Sequence, residues 1–267
     1  MFQTLADLFF PRSCVVCGRR LKRHEQHLCL DCDLDLPLTY FWAQERNVMA
    51  DKFNALIQKR LDQRWKSHVT AGRETQSADY EPYARAAALF YYSSSAGYRR
   101  IPQALKYEGA IGMGRHFARR LGNRMAESPL YHDVTLVVSV PLHRSRQWKR
   151  GYNQAAVIAR EIAAALGVPC DEKLLYRRRR TRTQTRLTIE EKAANVDGAF
   201  AVRPDRLFRE QERQPETVHL LLADDVFTTG ATLESCHAAL RQAWKEHGFH
   251  PRRLRISIAT LAFVGKP

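Results

Sequence analysis

Two apolar runs constrain this chain most, "DVTLVVSV" (133–140) and the run 218–223, and "RLRISIATLAF" (253–263) closes the chain with another strand. The two apolar runs suit strands covered on both faces. A fourth candidate strand, "ARAAALFYY" (84–92), stands earlier. Helical spacing fills the intervals. Pro102 suits the first turn of a helix running through "QALKY", and further helices are expected over 114–126, 153–166 and about 229 to 246. Strands alternating with helices imply right-handed crossovers and a mostly parallel sheet with helices on both faces. The expected fold class is α/β, a parallel twisted sheet flanked by helices. Ligands of such sheets bind beyond the carboxyl ends of the strands.

One strand end there carries unusual chemistry. In "LLLADDVFTTGAT" (220–232), Leu220 to Ala223 read as the buried strand, with Asp224 and Asp225 emerging at its carboxyl end. Thr228, Thr229, Gly230, Ala231 and Thr232 then wrap into a helix N-terminus. Backbone N–H groups and the positive end of a helix dipole favour an anion, and the hydroxyls add donors. Gly230 allows close backbone approach. The two acids repel phosphate, yet they suit the vicinal hydroxyls of a ribose, or magnesium held through water. A ribose 5-phosphate meets both demands. A metal-holding acid pair beside a fortuitous helix cap is the alternative. No G-x-x-x-x-G-K-[ST] is present, which weakens a nucleoside triphosphatase reading.

The six cysteines are grouped. Cys14 and Cys17 form one C-x-x-C, Cys29 and Cys32 another, with eleven residues between the pairs. Two such knuckles let four thiolates converge on one structural zinc, with Gly18 supplying a tight turn. Disulfides or a redox pair are the competing readings. His24 and His27 lie between the knuckles as possible substitute ligands, and Cys170 and Cys236 read as buried small hydrophobes.

Across 267 residues, 43 Lys+Arg oppose 28 Asp+Glu, a formal charge of +15. Such a field attracts phosphates, nucleotides or nucleic acid, although a generally basic protein with no polyanion partner has the same balance. No apolar run reaches the ~18 residues of a membrane span. The start, "MFQTLADLFFPRSC", lacks a basic n-region and is interrupted by Asp7, so a cytoplasmic location is expected. Leu5, Leu8 and Phe9 suit one face of a short helix. The expected organisation is a four-cysteine zinc-binding module over 1–42, a helical segment and linker over 43–82, and the α/β domain over 83–267. Within the middle segment, Phe53, Leu56, Ile57, Leu61 and Trp65 recur at helical spacing, and 66–82 reads as an exposed loop.

The strand-end motif resembles the phosphoribosyl pyrophosphate (PRPP) motif of type I phosphoribosyltransferases. "VPLHRSRQWKRGYNQAAVIA" (140–159), "RRRRTRTQTRLTIEEKAANVDGAF" (177–200), "LKYEG" (105–109), "CVVCG" and "CLDC" resemble segments of the ComF family. Those competence-associated proteins join a small zinc module to a phosphoribosyltransferase-like domain. The resemblance implies that Arg146, Lys149, Arg150 and Gly151 form a pyrophosphate loop. It also implies that 178–192 forms a mobile catalytic loop, with Arg178, Asp224 and Asp225 as catalytic groups. Magnesium would accompany PRPP. Some members carry a further C-x-x-C, which this chain lacks, and residues 43–82 look longer than the family suggests.

Three functions remain open on the sequence: phosphoribosyl transfer, single-stranded DNA binding linked to DNA uptake and its machinery, and PRPP or nucleotide sensing without turnover. Trp148 and Tyr152 interleave with Arg146, Lys149 and Arg150, which suits either base stacking or packing around a phosphate loop. No segment reads as a nucleobase-binding hood.

Overall fold

Alternation along one central strand organises the core. In the computed structural model, which describes residues 12–70, 81–92, 97–178, 198–213 and 216–265, that strand is β6 (Val218–Phe227). Its Leu220 and Leu222 face one helix layer, while Leu221 and Ala223 face the other. The strand is apolar on both sides because both sides are covered.

Around it runs a five-stranded parallel sheet in the order β1–β7–β6–β2–β3. The partners are β1 (Ala86–Tyr92), β7 (Leu254–Val264), β2 (Leu136–Ser139) and β3 (Cys170–Asp171). One face carries α4 (Ile111–Ala126) and α6 (Gln154–Leu166), which contribute Phe117, Leu121, Ile158 and Ile162 to the core. The opposite face carries α2 (Val48–Thr70) and α8 (Ala231–Glu246), through Phe53, Ile57, Leu240 and Trp244. The expected α/β architecture is met.

Residues 37–39 run antiparallel along the free edge of β1, with Tyr91 N–H donating to the Pro37 carbonyl at 2.8 Å and Thr39 N–H to that of Leu89 at 3.1 Å. That cover removes an exposed sheet edge. It also ties the cysteine-bearing segment, with its short helix α1 (Leu30–Leu34), to the sheet.

Several details differ from expectation. β6 runs on to Phe227 because β7 is long enough to keep pairing with it, Asp224 opposite Thr260 and Phe227 opposite Phe263. Asp224 and Asp225 thus sit inside the strand near its carboxyl end, not past it. The basic loop after β2 contains a helix, α5 (Arg144–Arg150), begun by His143, whose Nδ1 accepts from Ser145 N–H at 3.2 Å, and ended by Gly151 at φ 78°. α2 extends to Thr70, so the first residues of the expected 66–82 loop are helical, and 71–80 lie outside the described residues. Trp65, expected on the docking face of α2, is 49% exposed. The basic stretch after β3 holds an antiparallel pair, β4 (Leu175–Arg177) with β5 (Phe200–Val202), and then α7 (Pro204–Arg213). The N-terminal helix expected around Leu5, Leu8 and Phe9 falls outside the described residues. Among those residues, no helix is long and apolar enough to cross a membrane.

Candidate functional site

A cavity of about 910 Å³ opens at the carboxyl end of the sheet. Asp224, Asp225, Thr228, Thr229, Gly230, Ala231 and Thr232 line it, as do Arg146 and Arg150 from the segment after β2. The fold thus brings together the two groups singled out in the sequence. Gly151 closes α5 beside the cavity, and the Lys149 side chain lies outside the described residues.

The turn from β6 into α8 is built for close approach. Gly230 is the N-cap of α8 at φ 78°, and no side chain caps that helix end. A sixteen-residue helix therefore presents its N-terminal N–H groups toward the cavity. The second helix facing the cavity, α6, is capped by Asn153, whose Oδ1 accepts from Ala155 N–H at 3.2 Å while its Nδ2 donates to the Val140 carbonyl at 3.0 Å.

The acids are electrostatically distinct. Asp225 N–H donates to Asp224 Oδ1 at 2.8 Å. Burial, then the charge of Asp225, pushes the Asp224 carboxyl up to about 7. Asp225 itself is gripped by Lys106, Nζ to Oδ2 at 2.9 Å.

Two cations entered the site unannounced. Lys106 comes from the last turn of α3 (Arg100–Tyr107), in the "LKYEG" segment, but only the tertiary packing gives it a place beside the acids. Arg177, the first of the four consecutive arginines, lines the cavity from the end of β4, with its guanidinium 5.0 Å from the Phe200 ring centroid. Burial and then the Arg146 guanidinium push its pKa downward. Two guanidiniums sharing one cavity make a place for an anion. Arg178 is exposed just beyond β4, donating its N–H to the Ala199 carbonyl at 2.8 Å, and is not part of the wall. Residues 179–197 lie outside the described residues.

The aromatic residues divide by role. Tyr152 donates its hydroxyl to the Leu105 carbonyl and packs. Trp148 is 91% exposed, and Tyr107, 72% exposed at the cavity rim, has the Arg150 guanidinium 5.2 Å from its ring centroid.

Outside the lining of this cavity, the thiols of Cys14, Cys17, Cys29 and Cys32 all lie within 4.8 Å of one another, with no histidine among them. Cys17 and Cys29 Sγ are 3.7 Å apart, close to the ~3.8 Å that tetrahedral Zn–S bonds of ~2.3 Å impose. The donor set could bind zinc. Buried Glu25 shapes the loop between the knuckles, accepting from Lys22 N–H at 2.6 Å and Leu30 N–H at 2.9 Å. Tyr98 Oη donates to the Cys32 carbonyl at 3.0 Å, and Arg120 pairs with Asp33 at 2.5 Å, fixing the second knuckle to the α/β body. Cys236 is buried as expected, and Cys170 is partly so.

No family model matches the chain. Over 143 residues it is 29% identical to "Competence protein F" of Haemophilus influenzae, covering 52% of this chain and 60% of that protein. Over 97 residues it is 34% identical to "DNA utilization protein YhgH" of Salmonella typhi, covering 36% of this chain and 39% of that protein. The YhgH protein of Escherichia coli K12 is 32% identical over the same length. The chain thus spans less than two thirds of the length of each of these relatives. It is a homologue of these proteins, and together with the four-cysteine cluster they support the ComF-family resemblance.

Proposed function

We propose that the cavity binds a ribose 5-phosphate-containing ligand, PRPP with magnesium foremost, and that the chain serves DNA uptake or DNA use. One observation carries the ligand reading. An uncapped helix N-terminus, two acids and the guanidiniums of Arg146, Arg150 and Arg177 share a single cavity. Thr228 to Thr232 hold the 5-phosphate. Asp224 and Asp225 take the ribose hydroxyls or the metal. Arg146, Lys149, Arg150 and Gly151 receive the pyrophosphate. The two carboxylates fit magnesium, which takes one or two carboxylates plus phosphate oxygens and, when bound, neutralises phosphate charge. The DNA-related role is supported by the names of the relatives.

If transfer occurs, a nucleophilic atom of an acceptor forms a bond to ribose C1 as the bond from C1 to the pyrophosphate oxygen breaks, with the electron pair leaving on pyrophosphate. The chain would contribute positioning and a preformed cationic surface for the leaving group. Arg178, exposed just beyond β4, would act on the ligand from the rim and not from the wall. A non-catalytic PRPP sensor uses the same groups without turnover. In this reading residues 1–42 form a zinc module held by four cysteines, 43–82 a helical segment and linker, and 83–267 the ligand-binding domain.

Single-stranded DNA binding is a second reading, favoured by Trp148 and Tyr107 standing exposed beside clustered arginines. The deciding experiment is calorimetric titration with ribose 5-phosphate, magnesium–PRPP and a single-stranded oligonucleotide, with pyrophosphate release followed in parallel. Thr229→Val should weaken both phosphate ligands by about ten- to a hundredfold, the value of a hydrogen bond to a charged group. Equal affinity in the wild type and this variant, with the fold intact, removes the cradle reading.

A further inference from the structure

The acid pair of the cavity is bound by a cation of the chain's own. Lys106 Nζ stands 2.9 Å from Asp225 Oδ2, with both side chains mostly buried. This differs from a surface ion pair, in which two long side chains search for one another. α3 is seated firmly: Ile101 and Leu105 are fully buried, and the Leu105 carbonyl accepts the Tyr152 hydroxyl. The lysine is therefore a charged, fixed-base, flexible-tip cation beside two adjacent carboxylates.

We infer that Lys106 is a displaceable internal counter-ion that sets the divalent-metal dependence of this site. A lysine ammonium is a compact point charge on a four-carbon stem, able to reach more than one partner from one backbone position. Adjacent carboxylates attract any cation, and a free divalent ion competes for the same Asp225 oxygen that Lys106 occupies. The lysine keeps the pair from loading metal on its own, so the metal enters with a polyphosphate ligand whose oxygens complete its shell. Once displaced, the ammonium remains in a cavity lined by the phosphate turn, where it offsets ligand charge. For a ligand that brings no metal, such as ribose 5-phosphate, Lys106 stays on Asp225 and screens the acids from the phosphate.

The inference rests on the ribose-phosphate reading of the cavity, but one arm of its test needs no such ligand. Mn²⁺ alone is titrated into the wild type, Lys106→Met and Lys106→Arg and followed by electron paramagnetic resonance. Metal-free ribose 5-phosphate is titrated by calorimetry, and thermal melts check folding. An opposite charge at this range changes a carboxylate's preference for its ionised form by about ten- to a thousandfold. Lys106→Met should therefore bind Mn²⁺ at least about tenfold tighter and ribose 5-phosphate about tenfold weaker. Lys106→Arg keeps the charge and should stay near the wild type in both. Opposite signs for the two probes support the counter-ion role, because a purely structural lysine would weaken both together or neither. Mn²⁺ binding that is unchanged or weaker in folded Lys106→Met overturns the inference. Failure of the wild type to bind ribose 5-phosphate, with the Mn²⁺ gain present, instead overturns the ligand reading and leaves the metal competition standing. If Lys106→Met melts far below the wild type, the Mn²⁺ comparison of Lys106→Arg with Lys106→Gln decides: equal affinity in those two overturns the inference.

Discussion

Leu56 of α2 packs so closely over Gly230 that a methyl group added to the glycine would stand 2.8 Å from Leu56 Cδ1 and 2.6 Å from Phe227 Cζ. The helix from the 43–82 segment thus forms the back wall of the turn at the cavity. Two ties hold it there: Arg60 pairs with Glu234 at 2.5 Å and donates to His237 Nδ1 at 3.3 Å, both partners lying on α8. Gly230→Ala meets a steric clash and a left-handed backbone together. We expect a loss of about 1–3 kcal/mol in stability, seen as a lower Tm, with ribose 5-phosphate affinity reduced more than tenfold. Adding Leu56→Ala should recover part of the loss, since Phe227 remains. An unperturbed Gly230→Ala protein would mean that the turn is looser than this packing requires.

How much of this was legible beforehand follows from the physics of each part. The parallel sheet could be read because Leu220 to Ala223 and the run around Val137 are apolar and helical segments separate the strands. That Asp224 to Thr232 line one cavity and that the four cysteines cluster could be read because each set is nearly contiguous in sequence. α5 was hidden, since "HRSRQWKRG" has no apolar stripe and its boundaries depend on His143 and Gly151. β4 and β5 are three residues each, too short for a period to show. Lys106 and Arg177 were out of reach for another reason. Nothing in "LKYEG" indicates that its lysine meets Asp225, and nothing in a run of four arginines indicates that the first lines the cavity.

The cysteine cluster should bind close to one equivalent of zinc in protein purified without added metal. Cys29→Ser removes a buried ligand and leaves three thiols. The affinity should fall by more than the ~100-fold that changes outside the ligand set cost, and Tm should fall with it, because a structural zinc contributes its binding free energy to folding. Elemental analysis and thiol titration provide the readout. Zinc-free protein with four reactive thiols and an unchanged Tm would contradict the assignment.

Stability should fall as pH drops below about 6.5, the ordinary histidine value. Burial pushes His219 and His237 below that value. His219 donates from Nδ1 to Asp133 at 2.9 Å and accepts from Ser257 Oγ at Nε2, 2.8 Å away, so it is held as the neutral tautomer. A group whose folded pKa is depressed contributes fully above its unfolded value. That contribution is lost as pH falls toward the folded value, because the unfolded chain takes up the proton first. Asp133 adds a separate, lower window. Burial opposes its ionisation, but His219, Arg255 and Arg85 hold the carboxyl down at about 2, so its contribution disappears only below the usual carboxylate range. Thermal melts from pH 8 to pH 5 should show Tm declining, and His219→Gln should show a shallower decline from a lower starting point. An equal slope in the variant would exclude His219 as a source of the pH dependence.

Trp148 separates the DNA reading from a ligand site alone. At 91% exposure it contributes little to the core, so Trp148→Ala should leave Tm nearly unchanged. If bases stack on it, each stacked base is worth about 1–3 kcal/mol, a loss of roughly five- to 150-fold in affinity for a single-stranded oligonucleotide. Tryptophan carries no charge, so the slope of log K against log salt should stay as in the wild type. Arg146→Ala should do the reverse, lowering that slope by about 0.7 for each phosphate no longer neutralised. Tyr152→Phe is the internal control, because its hydroxyl bonds the Leu105 carbonyl and its ring is packed against the core. It should lower Tm while leaving oligonucleotide affinity within a fewfold of the wild type. These three variants pull apart stacking, charge neutralisation and packing, measured by fluorescence anisotropy across a salt series. Wild-type affinity in Trp148→Ala, or a salt-insensitive interaction, would remove the stacking surface and leave the cavity to act on small phosphorylated ligands.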